Sequence, residues 1–298
     1  MPVVGLLINE SKPEALAAAR RLARALAGRD GVTVRTVAST AEKIDELRCS
    51  APGEAVAGSD FVIVLGGDGT LLAAARTLAP LGTPILGVHL GRFGFIAETD
   101  PDHLLDAVET VLRGEAKIEE RALLACAVVR GEDGTRDELP LGMNDVVVRS
   151  SAARLVRVRT AVGHDGNQNE ADVVATYAAD GVIVASPTGS TSYSLSAGGP
   201  LVQPTAPVLL ITPICPHTLN ARSLIVPDTA TVHLSVAERD PRDTVIATVD
   251  GQVEVALYAD DRVEVRRAPR AARLLTVGGP NFYQKLRDRW HYGERLQG

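Results

Sequence analysis

The chain predicts an α/β fold followed by an all-β one. A Rossmann-like N-terminal α/β domain is expected over residues 1–116, a β-rich, β-sandwich-like domain over 117–277, and a tail over 278–298. Three observations carry this. Apolar runs of strand length alternate with helical patterns as far as Gly114, which implies a parallel sheet with helices on its faces. From about residue 117 the helical period fades into short runs rich in Val, Ile and Thr, separated by turn signals. Within the first half, FVIVLGGDGTLLAAAR at Phe61–Arg76 joins a continuous apolar strand to a helix through a glycine-rich turn.

Val3–Ile8 reads as the first strand, and Ser11-Lys12-Pro13-Glu14 as a capping box with Pro inside the first helical turn. Ala15, Ala19, Leu22 and Leu26 then recur at helical spacing, and Gly28 fits the stop. Val32–Val37 reads as a second strand, Ala41–Arg48 as a short helix and Ser50–Ser59 as loop. The strand at 61–65 leads to a helix over Leu71–Leu78, then to a strand at Pro84–Val88. Asp100-Pro101 opens a further helix, with Leu104, Leu105, Val108, Val111 and Leu112 inward and Gly114 at its end. Strand-like runs follow at 123–129, 146–148, 155–162, 173–177, 182–185, 208–212, 231–236, 244–249, 253–258 and 262–265. Asp133-Gly134 and Asp165-Gly166 lie between such runs as hairpin turns. The tail reads as helical or irregular, and its Phe282, Tyr283, Trp290 and Tyr292 point to docking.

The 298 residues suffice for two ordinary domains, and 45% hydrophobic with 23% charged residues is the composition of a globular protein. No run of about eighteen apolar residues marks a membrane span, and MPVVGLLINES lacks the basic start and cleavage site of a signal peptide. Three widely spaced cysteines, Cys49, Cys126 and Cys215, argue against a disulfide framework and a zinc site. The net charge of −6 opposes nucleic-acid binding, and the six histidines show no paired ligand spacing. A cytoplasmic enzyme or binding protein, with no protein-held metal, is the expected class.

In Gly66-Gly67-Asp68-Gly69-Thr70 the glycines let backbone approach a ligand, and the next helix points free N–H groups toward it, an arrangement suited to phosphate. A carboxylate in the middle of such a turn would repel phosphate unless a cation intervenes or it acts on a nearby proton, which singles out Asp68. An isolated Asp-Gly is ordinarily only a turn. Here strand and helix flank it, and the stretch matches neither a P-loop nor GxGxxG. Such ligands sit at the carboxyl ends of parallel strands.

The other dense stretch is DGVIVASPTGSTSYSLSAGGP at Asp180–Pro200. Its hydroxyls and accessible backbone N–H groups suit ribose, phosphate and base edges, although a Ser/Thr/Gly-rich stretch alone is ordinarily a loop. Tyr193 has two readings, stacking on a base or filling core space.

Taken with LGGDGT at 65–70, GVHLGRFGFIAE at 87–98, MNDVVV at 143–148, PICPHTLNAR at 213–222 and VDGQ at 249–252, this stretch resembles the NAD kinase family over almost the whole chain. GGDG alone is also found in diacylglycerol and sphingoid-base kinases, and a GGDGS version in phosphofructokinases. The 180–200 segment with Asn144-Asp145 is far more specific.

The resemblance implies a C-terminal end that returns to the first domain. It implies transfer of the γ-phosphoryl group of ATP, or of polyphosphate, to the 2′-hydroxyl of the adenosine ribose of NAD, giving NADP. Mg²⁺ or another divalent cation and a homodimer or homotetramer are implied as well, with no nucleic-acid or membrane partner. Residue by residue, Asp68 matches the catalytic base, Gly66, Gly67 and Thr70 the phosphate loop, and Gly69 a position against nucleotide. Asn144 and Asp145 match the pair that holds ribose and base polar groups, and Arg154 a basic residue facing the dinucleotide. Asp180 and the segment Thr191, Ser192, Tyr193, Ser194, Leu195, Ser196 match the adenosine-binding part, and Gln252 a contact near the end of the β domain. The chain departs from common family residues at Ala73, His89, Ala178 and Ser192. The alternatives are another GGDG-type kinase acting on a lipid or sugar, and a non-catalytic NAD-sensing protein. The low aromatic content of 3% offers no apolar entry for a lipid, and the intact Asp68 opposes the sensor.

Overall fold

The computed structural model describes residues 2–27, 29, 31–44, 56–91, 94–151, 155–164, 171–238, 244–290 and 292. The chain opens with β1 (Val3–Ile8), α1 (Pro13–Ala27), β2 (Thr33–Thr36), α2 (Ala38–Ala41), β3 (Phe61–Gly66), α3 (Asp68–Leu78), β4 (Ile85–His89), α4 (Leu104–Leu112) and β5 (Lys117–Arg121). A β-rich stretch follows with β6 (Leu124–Val129), β7 (Arg136–Glu138), β8 (Asp145–Ser150), β9 (Val156–His164), β10 (Asp172–Ala179) and β11 (Gly181–Ala185). It continues through the single turn α5 (Tyr193–Ser196) into β12 (Val208–Ile214), β13 (Leu224–Pro227), β14 (Ala230–Glu238), β15 (Val245–Val249), β16 (Val253–Leu257) and β17 (Arg262–Arg267). Last come β18 (Ala272–Thr276) and α6 (Phe282–Trp290). The chain divides into two units, residues 1–120 with 272–298, and residues 121–271.

In the first unit one sheet runs in the order β2-β1-β3-β4-β18-β5. The pairings of β1 with β2 and β3, and of β4 with β3 and β18, are parallel. Strand β3 is buried at every residue, as its unbroken apolar run requires between two helical layers. Helix α1 presents Ala15, Ala18, Ala19, Leu22, Ala23 and Leu26 to the core, small residues that allow helix and sheet to approach closely. From β1 the chain steps outward to β2, then returns past β1 to β3 and β4. The order therefore reverses between β1 and β3, and their carboxyl ends border the crevice where such sheets take ligands.

The second unit is a sandwich of two antiparallel sheets, β10-β9-β14-β17-β6-β7 and β13-β12-β11-β8-β15-β16. Alternate residues point inward: Val232, Leu234, Val263 and Val265 from one sheet meet Val146, Val148, Val182 and Val184 from the other. On the outer face of the second sheet, Val147, Ile183 and Leu210 are covered by Ala197 and Val202. The Ser/Thr/Gly-rich stretch after β11 is thereby held onto that face.

The structure corrects several element expectations. Helix α3 begins at Asp68 rather than Leu71, and α1 at Pro13, where the Ser11 hydroxyl donates to Asn9 Oδ1 (2.6 Å) instead of building a capping box. The short helix lies at 38–41, upstream of the expected 41–48, whose residues from 45 onward fall outside the described ones, as does Asp165-Gly166. Four strands were not foreseen: β5, β7, β13 and β18. Three of them stand at sheet edges. With one face or side in water, an edge tolerates KIEER or RDE, sequences without apolar alternation. Strands β5 and β18 lie inside the 117–277 range, yet both pair in the first sheet.

The tail returns to the first unit, as the resemblance implied. Phe282 packs its ring 6.1 Å from that of Phe95, and Lys285 Nζ donates to the Ala97 carbonyl at 2.8 Å. Buried Glu98 holds the approach, its Oε1 accepting from the N–H groups of Val277 (2.8 Å) and Gly279 (3.0 Å). Gly279 is required there, because a Cβ would lie 2.6 Å from the Glu98 carbonyl oxygen. Replacing Glu98 with Ala strands both donors, each at roughly 1–3 kcal/mol if it finds no water. A fall in Tm of several degrees, measured by calorimetry, is the expected result.

Candidate active site

At the carboxyl end of β3, Gly66 must be glycine, since a Cβ would lie 2.5 Å from the Thr70 Cβ. Gly67 has extended backbone as the N-cap of α3, and its own Cβ position faces open space. Asp68 is therefore the first residue of the helix. Its carboxylate complements the positive end of the helix dipole, worth about 0.3–1 kcal/mol, instead of lying within the turn. Asp68 and Gly69 are exposed and Thr70 half-buried.

Around this turn the strand ends are tied together. Asn9 N–H donates to the Leu65 carbonyl (2.9 Å), Leu90 N–H to the Gly66 carbonyl (3.2 Å) and Lys12 Nζ to the Leu90 carbonyl (3.5 Å). The neighbouring Glu10 carboxylate is engaged by Lys43, Ser39 and Thr40, which hold its pKa down at about 2. Gly94 lies against Asp68 so closely that a Cβ would sit 2.0 Å from Asp68 Oδ1. His89 ends β4 with Nδ1 donating to the Gly91 carbonyl (3.1 Å), and burial lowers its pKa, favouring the neutral ring.

In the second unit the centre is Asp250, at the tip of the β15–β16 hairpin. Both Asp250 (φ 50°) and Gly251 (φ 63°) have positive φ, the turn an Asp-Gly pair favours. Turned inward, the Asp250 carboxylate accepts from the backbone N–H groups of Met143 (2.9 Å), Asn144 (2.7 Å) and Asp145 (3.1 Å). Asp145 starts β8 and is buried. Loss of solvation, then the Asp250 charge, pushes its carboxyl up to about 7.

The Ser/Thr/Gly stretch wraps onto the same segment. Ser186 N–H donates to the Asn144 carbonyl (2.9 Å) and Ser186 Oγ to the Met143 carbonyl (2.5 Å). Gly189 must be glycine, because a Cβ would lie 2.0 Å from the Asn144 carbonyl oxygen. The side-chain amide of Asn144 donates to Ser192 Oγ (3.4 Å), so the Ser192 departure orients the asparagine. Thr191 Oγ1 donates to the Thr188 carbonyl, while Ser194 is fully buried and hydrogen-bonds Thr212 (2.9 Å). Tyr193 is 40% exposed, which excludes the core-filling reading; Leu195 is half-buried and Ser196 exposed.

The expected residues fall into separate groups. Gly66, Gly67, Asp68, Gly69 and Thr70 form one; Asn144, Asp145, Thr191, Ser192 and Tyr193 form another, beside exposed Gln252 on the Asp250 hairpin. Asp180 joins neither. It precedes β11 while Ser186 follows it, and at about 3.3 Å per residue the strand separates them by roughly 20 Å. Arg154 lies outside the described residues. Asp250, Gly94 and Gly189 were missed as site-building residues. Asp250 stood in the sequence within VDGQ at 249–252 with no role of its own, and the two glycines are explained by contacts made across the fold.

A parallel sheet with a Gly-Asp-Gly helix start at its switch point, joined to a β-sandwich carrying an interlocked Asn-Asp and Ser/Thr/Gly segment, defines a class of two-domain nucleotide-handling proteins. The ATP-NAD kinase N-terminal domain family matches residues 4–116, and the ATP-NAD kinase C-terminal domain family residues 127–277. NAD kinase of Heliobacterium modesticaldum is 42% identical over 298 residues, covering 98% of this chain and 100% of the relative. NAD kinase of Symbiobacterium thermophilum is 41% identical, covering 97% and 99%. The fold is that of a crystal structure of yeast NADH kinase complexed with NADH, with a TM-score of 0.86, 24% identity and coverage of 100% and 90%. The chain belongs to the ATP-NAD kinase family.

Because the folded state raises the Asp145 pKa, it holds that proton more tightly than the unfolded chain does. This contribution to stability is complete below the unfolded value of 3.8 and declines until the pH reaches about 7. Asp145→Asn removes the decline. The Tm difference, variant minus wild type, is expected to grow from pH 5 to pH 7 and then level off in a pH series of thermal melts.

Proposed function

We propose that this chain is an NAD kinase that transfers the γ-phosphoryl group of ATP to the 2′-hydroxyl of the adenosine ribose of NAD, with Asp68 as the proton acceptor. The observation that carries the role of Asp68 is its exposed carboxylate on the first residue of α3, at the switch point of the sheet. The ribose oxygen bonds to the γ-phosphorus, the bond from that phosphorus to the β,γ-bridging oxygen breaks, the hydroxyl proton passes to Asp68, and ADP leaves. Positioning and charge neutralisation dominate such a loose transition state, with the base a smaller part. Gly67 and Gly69 N–H groups at the helix start would receive phosphate oxygens. Asn144, Ser192 and Tyr193 would receive the dinucleotide, with Tyr193 free to stack on a base.

Among the described residues no group of three or more His, Cys, Asp or Glu is placed to hold a metal ion. Mg²⁺ ordinarily binds through one or two carboxylates with substrate phosphates and water, so Asp68 together with the ATP phosphates fits it. When bound, the ion neutralises charge on the phosphates. A homodimer or homotetramer belongs to this reading as what the family resemblance implies. No helix among the described residues is long and apolar enough to cross a membrane. A cytoplasmic setting fits an enzyme supplied with ATP and NAD.

The test is NADP formation from ATP, Mg²⁺ and NAD, followed with an NADP-specific dehydrogenase, with NADH and polyphosphate as further arms. Asp68→Asn is expected to keep its Tm within a few degrees, since only the helix-dipole contribution is lost, and to lose roughly 10²–10⁴-fold in kcat; near-wild-type turnover would reject Asp68 as the base. Gly94→Ala pushes a methyl group against the Asp68 carboxylate without a positive-φ conflict. A displacement of about 1 Å can cost on the order of 10²-fold, so kcat should fall toward that extent while Tm stays within a few degrees.

A further inference from the structure

The glycine-rich turn at 66–70 carries no cation of its own for a phosphate chain. Between residues 61 and 91 the basic side chains other than His89 come down to Arg76, in the last turn of α3 and about 12 Å along the helix axis from Asp68. A lysine reaches the same strand ends from a different segment. We propose that Lys12 binds the triphosphate of ATP beside this turn, a role that rests on the kinase reading of the site.

Three observations carry it. The loop between β1 and α1 is pinned to the carboxyl end of β3, because Asn9 N–H donates to the Leu65 carbonyl (2.9 Å) and Lys12 N–H to the Asn9 carbonyl (3.1 Å). The half-buried Lys12 side chain runs on to the Leu90 carbonyl, and Leu90 N–H is bonded to the Gly66 carbonyl. One residue thus separates the ammonium from the glycine turn. Second, the charge of that ammonium is not neutralised within the protein. Its contact with Leu90, 3.5 Å long, lies at the outer limit of a hydrogen bond, and among the described residues it pairs with no carboxylate. Glu10, two residues away, gives its carboxylate to Ser39, Thr40 and Lys43. An ammonium has three donors, so at least two remain for a ligand.

Third, the position is a poor one for lysine on local grounds. Lys12 immediately precedes α1, and its carbonyl accepts from the N–H groups of Ala15 (3.0 Å) and Leu16 (3.4 Å). Ser, Thr, Asp or Asn is favoured there, and a positive charge opposes the helix dipole. Helix stability does not account for this lysine; an anionic ligand does. Phosphoryl transfer depends on neutralising the phosphoryl oxygens, and a compact ammonium on a flexible stem suits a phosphate as a point charge. Asp68 sharpens the need, because its carboxylate at the same strand ends repels the phosphates that Lys12 attracts.

The test is titration calorimetry with MgATP and, separately, with NAD, beside steady-state NADP formation, on wild type, Lys12→Met and Lys12→Arg. Lys12→Met is expected to weaken MgATP binding about ten- to a hundredfold, the span for a hydrogen bond to a charged group, and to raise the KM for ATP. Its NAD affinity should be unchanged and its Tm equal to or slightly above that of wild type. Lys12→Arg keeps the charge and should recover most of the ATP affinity. MgATP binding that Lys12→Met leaves unchanged, or a loss shared equally by ATP and NAD with a fallen Tm, would overturn the proposal. Wild-type NADP formation tests the kinase reading separately: ATP binding that depends on Lys12 without any NADP would support the lysine's role and reject that reading.

Discussion

A single carboxylate organises the second unit. Asp250 sits on a hairpin tip with positive φ and gathers the backbone N–H groups of Met143, Asn144 and Asp145. Without it, those donors would face the start of a buried strand unpaired, at roughly 1–3 kcal/mol each. Once they are held, the Met143 and Asn144 carbonyls are free to accept from Ser186, and Gly189 closes onto Asn144 with no room for a Cβ. The shape of the whole 186–196 stretch follows. The same device has a cost, because it brings a second carboxylate, Asp145, into a buried position beside the first. Burial and the neighbouring charge together favour its protonated form at moderately acidic pH.

The first unit reaches its site by a different route. The all-buried strand β3 ends in a glycine whose missing side chain lets Thr70 pack, and the helix starts one residue after the N-cap Gly67. A carboxylate that would be out of place within an anion-binding turn is stabilised when it begins the helix, where the dipole favours negative charge. The neighbouring Gly67 leaves open space beside it, and Gly94 lies so close to its carboxylate that a Cβ there would collide with it.

Legibility in the sequence followed local patterning. The central strands, α1, α4 and most of the sandwich strands were readable because burial on one or both faces writes a regular apolar pattern. The edge strands β5, β7 and β13 were not, because a strand with one neighbour need not bury alternate residues. The hydroxyl-rich stretch misled in part. Ser186, Ser190 and Ser194 read like ligand contacts, but all three are buried and bonded within the protein. Ser192 bonds Asn144, and Tyr193 stays exposed.

By itself the sequence determined the two fold classes, the strand–turn–helix around Asp68 and the segments that place the chain in its family. These depend on residues adjacent in the chain, whose spacing alone sets a helical or strand period. Tertiary structure decided which groups meet: Asp250 with Met143 across 107 residues, Glu98 with Val277 across 179, and Gly94 with Asp68. It also decided that Asp180 stands apart from Asn144. A hydrogen bond or a missing Cβ between distant segments leaves no periodic trace in composition, so only the folded chain could reveal it.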